Sequence, residues 1–127
     1  MTTTSITDVR TIGISVTSQD DALDFYVGKL GFEKRLDAPI SPTMRWIEVA
    51  PPGASTSIAL NIPQAANQEP TDTGVRFSVP DAGAEHAIMQ ERGVDVGELL
   101  RWDNGVPPMF TFDDPYGNRF YVVEESS

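Results

Sequence analysis

Cysteine is missing from the chain, which excludes disulfides and thiolate chemistry at once. Histidine occurs once, at His86, so a Ser-His-Asp triad would have to pass through that single residue. No apolar run approaches the roughly 20 residues that a membrane-spanning helix needs. The opening Met1-Thr2-Thr3-Thr4-Ser5 lacks the basic and apolar regions of a secretory leader. A cytoplasmic setting is the expectation. Basic residues are scarce: nine Lys and Arg stand against nineteen Asp and Glu, a formal net charge of −10. Nucleic acid and anionic membrane are therefore not expected as partners, because both are bound through basic patches. Such a charge favours cationic partners, unless it serves solubility alone.

What is present is one domain's worth of chain, 127 residues, long enough to bury a core. Its most informative stretch lies near the end. Phe110-Thr-Phe-Asp and Arg119-Phe-Tyr-Val-Val-Glu124 are strand-like runs flanking Asp114-Pro115-Tyr116-Gly117-Asn118. Pro presets φ, Gly and Asn tolerate positive φ, and Asp bonds nearby amides, so the stretch predicts a β-hairpin. Trp46-Ile-Glu-Val-Ala-Pro-Pro-Gly53 followed by Ser57-Ile-Ala-Leu-Asn-Ile62 echoes it, with Pro51 and Gly53 answering Pro115 and Gly117 at an offset of 64.

The rest of the chain repeats in the same way. Thr11–Val16 alternates with Ile12, Ile14 and Val16 on one face, the mark of a half-buried strand. Ser18, with Asp20 and Asp21, reads as a helix cap, and Gly31 as a stop. A second strand is expected from Phe32 to about Leu36, then a Pro-rich connection over 38–42. Residues 64–73 read as a linker. The second half restarts with an alternating strand over 74–79, a helix capped by Asp81 and ended by Gly93, a strand from Val94 to Leu100, and a loop carrying Trp102. Each half is β-α-β-β-β. The fold class expected is α+β: two βαβββ modules, about 8–62 and 74–124, forming a curled mixed sheet around a U-shaped cleft.

Asp20-Asp-Ala-Leu-Asp-Phe-Tyr26, Tyr26-Val-Gly-Lys-Leu-Gly-Phe32 and Asp114-Pro-Tyr-Gly-Asn118 together resemble the vicinal oxygen chelate superfamily. That group holds glyoxalases, extradiol dioxygenases and the fosfomycin- and bleomycin-resistance proteins, and the resemblance covers about residues 9–124. It implies a U-shaped cleft, a homodimer, and four metal-ligand positions that fall on Thr11, Ala59, Gly74 and Tyr121. None of these is a good donor for a divalent cation. The resemblance is thus nearest in character to metal-free, bacterial-type bleomycin-resistance members, with antibiotic resistance as the implied role. No metal and no cofactor are expected.

Alternation places Trp46 and Glu48 on the cleft face, because Ile47 and Val49 suit the helix side. Phe110 and Phe112 are expected at the matching positions of the second half, with Tyr121, Asn61 and Arg76 beside them and Trp102 closing the mouth. Such an aromatic-lined pocket with polar anchors suits a small organic molecule, aromatic and cationic. The alternative is that these aromatics fill the sheet interior or a dimer contact. His86, mid-helix, is expected on the solvated surface, and the acid pairs Asp20-Asp21 and Asp113-Asp114 in caps and turns. Two functions stay open, with a purely structural or regulatory dimer as a thinner third. One is a metal-free binding protein that sequesters its ligand. The other is a lyase, isomerase or dioxygenase of the same superfamily, either using a metal held at positions other than those four or using Glu48, Arg76 and Tyr121 as acid, base and oxyanion partner.

Overall fold

A computed structural model describes residues 4–63 and 70–125. The local signals act as read. Ser18 caps α1 (Gln19–Leu23), its Oγ accepting from the Asp21 amide at 3.2 Å. The helix then widens into a π-helical stretch, Asp24–Lys29, where the Leu30 amide donates to the Phe25 carbonyl at 3.1 Å. Asp81 caps α2 (Ala82–Glu91) through the Ala84 amide. Gly31 and Gly93 follow the two helices with φ of 77° and 79°, a left-handed conformation that only glycine adopts at little cost.

The first module carries β1 (Thr11–Ser15), β2 (Glu33–Ser41), β3 (Met44–Ala50) and β4 (Ser57–Asn61). The second carries β5 (Asp72–Val79), β6 (Asp95–Val96), β7 (Met109–Asp113) and β8 (Arg119–Glu124). Each makes a four-stranded sheet, ordered β1-β4-β3-β2 and β5-β8-β7-β6. The first and fourth strands of each module pair in parallel within them: β1 with β4, β5 with β8. Two βαβββ modules are therefore present, in an α+β fold whose sheets do not close.

Three boundaries differ from the sequence reading. β2 runs on through Pro39 to Ser41, because it is an edge strand, where a missing amide costs no ladder bond on the open side. The expected strand over 94–100 shrinks to β6 plus a single bridge between Leu100 and Met109. Of the expected linker, Asp72 and Thr73 already belong to β5, while 64–69 lie outside the described residues.

Both sheets turn one apolar face to a common core. Ile14 and Val16 meet Ile58, Leu60, Ile47 and Val49 from the first module, and Phe110, Phe112, Phe120 and Val122 from the second. Tyr26 and Phe32, around the end of the π-helical stretch, reach across: Tyr26 lies edge-on to Phe120 at 6.3 Å and Phe32 edge-on to Phe77 at 5.5 Å. Phe77, Phe112 and Phe120 stack among themselves.

The Asp114–Asn118 turn joins the modules. Asp114 is buried, and its two oxygens accept from the Tyr26 hydroxyl (2.6 Å), the Tyr116 and Asn118 amides (2.9 Å each) and Asn118 Nδ2 (2.8 Å). Asn118 Nδ2 also donates to the Ser15 carbonyl, and the Tyr116 hydroxyl to the Ser18 carbonyl. Burial, then the Asp114 charge, pushes the Tyr26 phenol above its ordinary range, so it keeps its proton and remains the donor. Hydrogen bonds to a charged acceptor contribute about 1.5–3 kcal/mol, and a buried acceptor deprived of a donor adds its desolvation cost. Tyr26→Phe should accordingly lower unfolding stability by about 2 kcal/mol in urea titration; a change within about 0.5 kcal/mol would contradict this role.

Candidate functional site

The face of the first sheet turned away from the core is built by strand alternation. Pairing sets Gly13 beside Ala59 and Ala59 beside Glu48, with Leu36 beyond. One step along the same register, Ser15 pairs with Asn61, and Trp46 with Ala38. From these rows Gly13, Ser15, Trp46 and Asn61 line a pocket of about 460 Å³, with Ile14, Gln19 and Arg45 from the other side and Ile40, Met44, Ile62 and Pro63 around it. A Cβ on Gly13 would stand 2.9 Å from Asn61 Nδ2, so a side chain there would push the Asn61 amide aside.

Polar groups at the pocket end are held in place. Gln19 Nε2 donates to the Arg45 and Leu60 carbonyls, both at 2.8 Å. Arg45 grips Asp37 through Nε (3.1 Å) and Nη2 (2.7 Å), and Asp20 through Nη1 (2.7 Å). The Arg45 hydrogen bonds hold the Asp37 carboxyl below its usual range. Gln19 and Arg45 escaped the sequence reading. Extending β2 by alternation through Pro39 would have brought Ile40 and Leu36 to this face.

Trp46 and Glu48 lie on the face expected of them. The Trp46 indole is 40% exposed, whereas Glu48 is 5% exposed. Trp46 Nε1 donates to Glu48 Oε2 at 2.7 Å and Ser57 Oγ to Oε1 at 2.6 Å, while Arg10 Nη2 approaches Oε2 at 3.5 Å. A second cavity, of about 290 Å³, adjoins Glu48 between Arg10, Arg35 and Ser57.

The remaining sequence candidates do not join this pocket. Phe110 and Phe112 are buried in the core, 1% and 2% exposed, on the opposite face of their strand. The pairing explains the error: Thr111 lies beside Tyr121 and Phe112 beside Phe120, so the two phenylalanines share the core face with Phe120. Arg76 and Tyr121 occupy the outward face of the second sheet, with the guanidinium 4.7 Å above the ring. Arg76 Nη1 donates to the Gly74 carbonyl, and the Glu48 charge meets Arg10 rather than Arg76. Trp102 is an exposed loop residue outside the pocket lining. His86 is half-buried rather than solvated, its ring edge-on to Phe110 at 4.9 Å and its Nε2 2.8 Å from the Gly97 carbonyl.

At the metal positions implied by the resemblance, the donor atoms are either engaged or absent. Thr11 Oγ1 is hydrogen-bonded to Ser57 Oγ at 3.1 Å, and the Tyr121 hydroxyl donates to Asp72 at 2.6 Å. That bond holds the Tyr121 phenol above its usual pKa, hence protonated. Ala59 and Gly74 bring no donor atom. Among the described residues no three His, Cys, Asp or Glu side chains gather in a group that could hold a metal. The residues present do not fit a divalent cation at these positions.

A family model described as the Glyoxalase/Bleomycin resistance protein/Dioxygenase superfamily matches residues 9–122. The chain belongs to that superfamily. Its structure is similar to a member of the superfamily from Sphaerobacter thermophilus, with a TM-score of 0.86, 36% identity, and coverage of 94% of this chain and 98% of that one. It is also similar to TnmS3, an antibiotic binding protein from Streptomyces sp. CB03234, with a TM-score of 0.84, 32% identity, and coverage of 98% and 100%. Among curated proteins, YetH of Bacillus subtilis is 30% identical over 122 residues, 94% of this chain and 99% of the relative.

The electrostatics of Glu48 yield a pH dependence. Hydrogen bonds from Ser57 and then Trp46, with the Arg10 charge, hold its carboxyl below the ordinary 4.5. A depressed folded-state value contributes stability above the unfolded pKa, and that contribution is lost as the pH falls through the folded value. The stability difference between the unaltered protein and Glu48→Gln, read by thermal unfolding, should therefore shrink on acidification below about pH 4.5. A difference that stays constant down to about pH 3 would contradict the assignment.

Proposed function

We propose that this protein is a metal-free small-molecule-binding protein of the bleomycin-resistance type, holding a planar aromatic and preferentially cationic compound against Trp46. The observation that carries the reading is a half-exposed indole fixed on the floor of a pocket of about 460 Å³. Pockets of this size, mostly apolar with a few placed polar groups, suit small organic ligands. The similarity to an antibiotic binding protein over nearly the whole chain supports it, and antibiotic resistance by sequestration in the cytoplasm is the role we propose. The cation preference rests on the net charge of −10 and on the indole face, which attracts cations by about 0.5–2 kcal/mol. The binding reading is favoured over the catalytic one by the partners these groups have: Glu48 meets Ser57, Trp46 and Arg10, while Arg76 lies over the Tyr121 ring.

The protein is further proposed to be a homodimer. Leu36, Ile40, Trp46 and Ile62 leave apolar surface exposed on the first sheet's outward face, and β2 and β6 are open edges that invite covering. Sedimentation at micromolar concentration should give a dimer; monomer alone would defeat the proposal.

Binding is tested by tryptophan-fluorescence titration with matched cationic, neutral and anionic aromatic compounds, at low and high salt. Cationic compounds should bind best, with a margin that narrows as salt screens the field. Trp46→Ala should weaken all of them by at least about tenfold, as loss of a stacking platform does. Tightest binding by the anionic series, or binding indifferent to Trp46→Ala, would overturn the reading.

A further inference from the structure

The geometry points to Glu48 as a positioning residue that locks the Trp46 indole flat on the sheet, so that the pocket selects for planarity through Trp46 and not for charge through Glu48. This rests on the proposed binding function and assigns the specificity of the same site. Residues two apart on a strand face the same side, about 6.6 Å from each other. A 2.7 Å bond from Trp46 Nε1 to Glu48 Oε2 therefore requires the indole to lie along its own strand. Both ring torsions are then fixed, and one broad face is turned to the pocket. Without that bond, an indole that is 40% exposed has several rotamers open to it.

Glu48 is unsuited to be a ligand's counter-ion. It is 5% exposed, and each oxygen already has a donor, Ser57 Oγ on Oε1 and Trp46 Nε1 on Oε2. Its charge is met by Arg10, whose side chain is 79% exposed and stands on the solvent side. A cationic ligand seated on Glu48 would compete with Arg10 for its charge and with the indole for Oε2, weakening the platform it came to stack on. Charge preference then comes from the field of the whole protein, and shape preference from the locked ring.

The carboxamide isostere separates orientation from charge. In Glu48→Gln the amide oxygen still accepts from the indole, and the amide nitrogen can donate to Ser57, whose hydroxyl turns to donate to its Thr11 or Arg10 neighbour. Glu48→Leu removes the acceptor. The test uses a Trp102→Phe background, where Trp46 is the sole tryptophan of the two in the chain, and two probes, 9-aminoacridine as a planar cation and acridone as its neutral counterpart.

Glu48→Leu should add a fast component to the fluorescence depolarisation of Trp46 and weaken both probes by about tenfold, while Glu48→Gln stays within about twofold for both. If Glu48→Gln weakens 9-aminoacridine alone, Glu48 is a charge anchor and the inference is overturned. It is equally overturned if Glu48→Leu leaves the depolarisation unchanged. Should Glu48→Leu fail to fold, hydrogen exchange of the Trp46 indole N–H in the unaltered protein decides: protection supports the bond, and exchange at the free-indole rate contradicts it. If neither probe binds the unaltered protein, the binding function fails, while depolarisation and exchange still decide what Glu48 does.

Discussion

One buried carboxylate holds this molecule together. Asp114 takes four donors, two from its own turn's backbone, one from Asn118 and one from Tyr26 in the other module. A charge out of water is costly unless it is met in this way. Through Asn118 and Tyr116 the same turn reaches the Ser15 and Ser18 carbonyls, the end of β1 and the cap of α1. The Thr71 amide, just before β5, also points to Asn118 Oδ1, at 3.3 Å. The facing edges of the two sheets are thus set by side chains rather than by a ladder. The position of Gly13 and Ser15 in the pocket floor follows from where β1 is held.

Much of this was legible in the chain, wherever one residue type permits only one conformation. Ser18 and Asp81 cap the helices they precede, and Gly31 and Gly93 end them. Gly53 and Gly117, 64 apart, both adopt positive φ, which bears out the repeat. Alternation also succeeded on β3, because Ile47 and Val49 leave no doubt which face is apolar. It failed on β7, where Phe-Thr-Phe reads as a strand either way round. The deciding fact there is pairing with β8, which puts Phe112 beside Phe120. Pairing is a tertiary fact that a single strand does not encode. Pro39 misled for a related reason: whether a proline ends a strand depends on whether its edge is open.

Charge tells a consistent story across both sheets. Glu48 is met by Arg10, Asp37 and Asp20 by Arg45, Asp113 by Arg119, and Asp72 by the Tyr121 hydroxyl. Side chains that looked like anchors in the sequence are engaged with one another. Polar identity is therefore a poor guide to what the pocket offers. What it presents is a fixed ring, a glycine-made hollow and apolar walls. The superfamily's fold is retained, while the metal positions that the resemblance implies carry small or hydroxylic side chains, and Trp46 lies exposed on the first sheet.

The most direct test of that account is two-dimensional NMR of the two indole N–H groups while a planar aromatic compound is titrated. The Trp46 signal should shift and saturate, with Trp102 unmoved. A saturating shift at Trp102 alone, with Trp46 unchanged, would place the ligand elsewhere and contradict it.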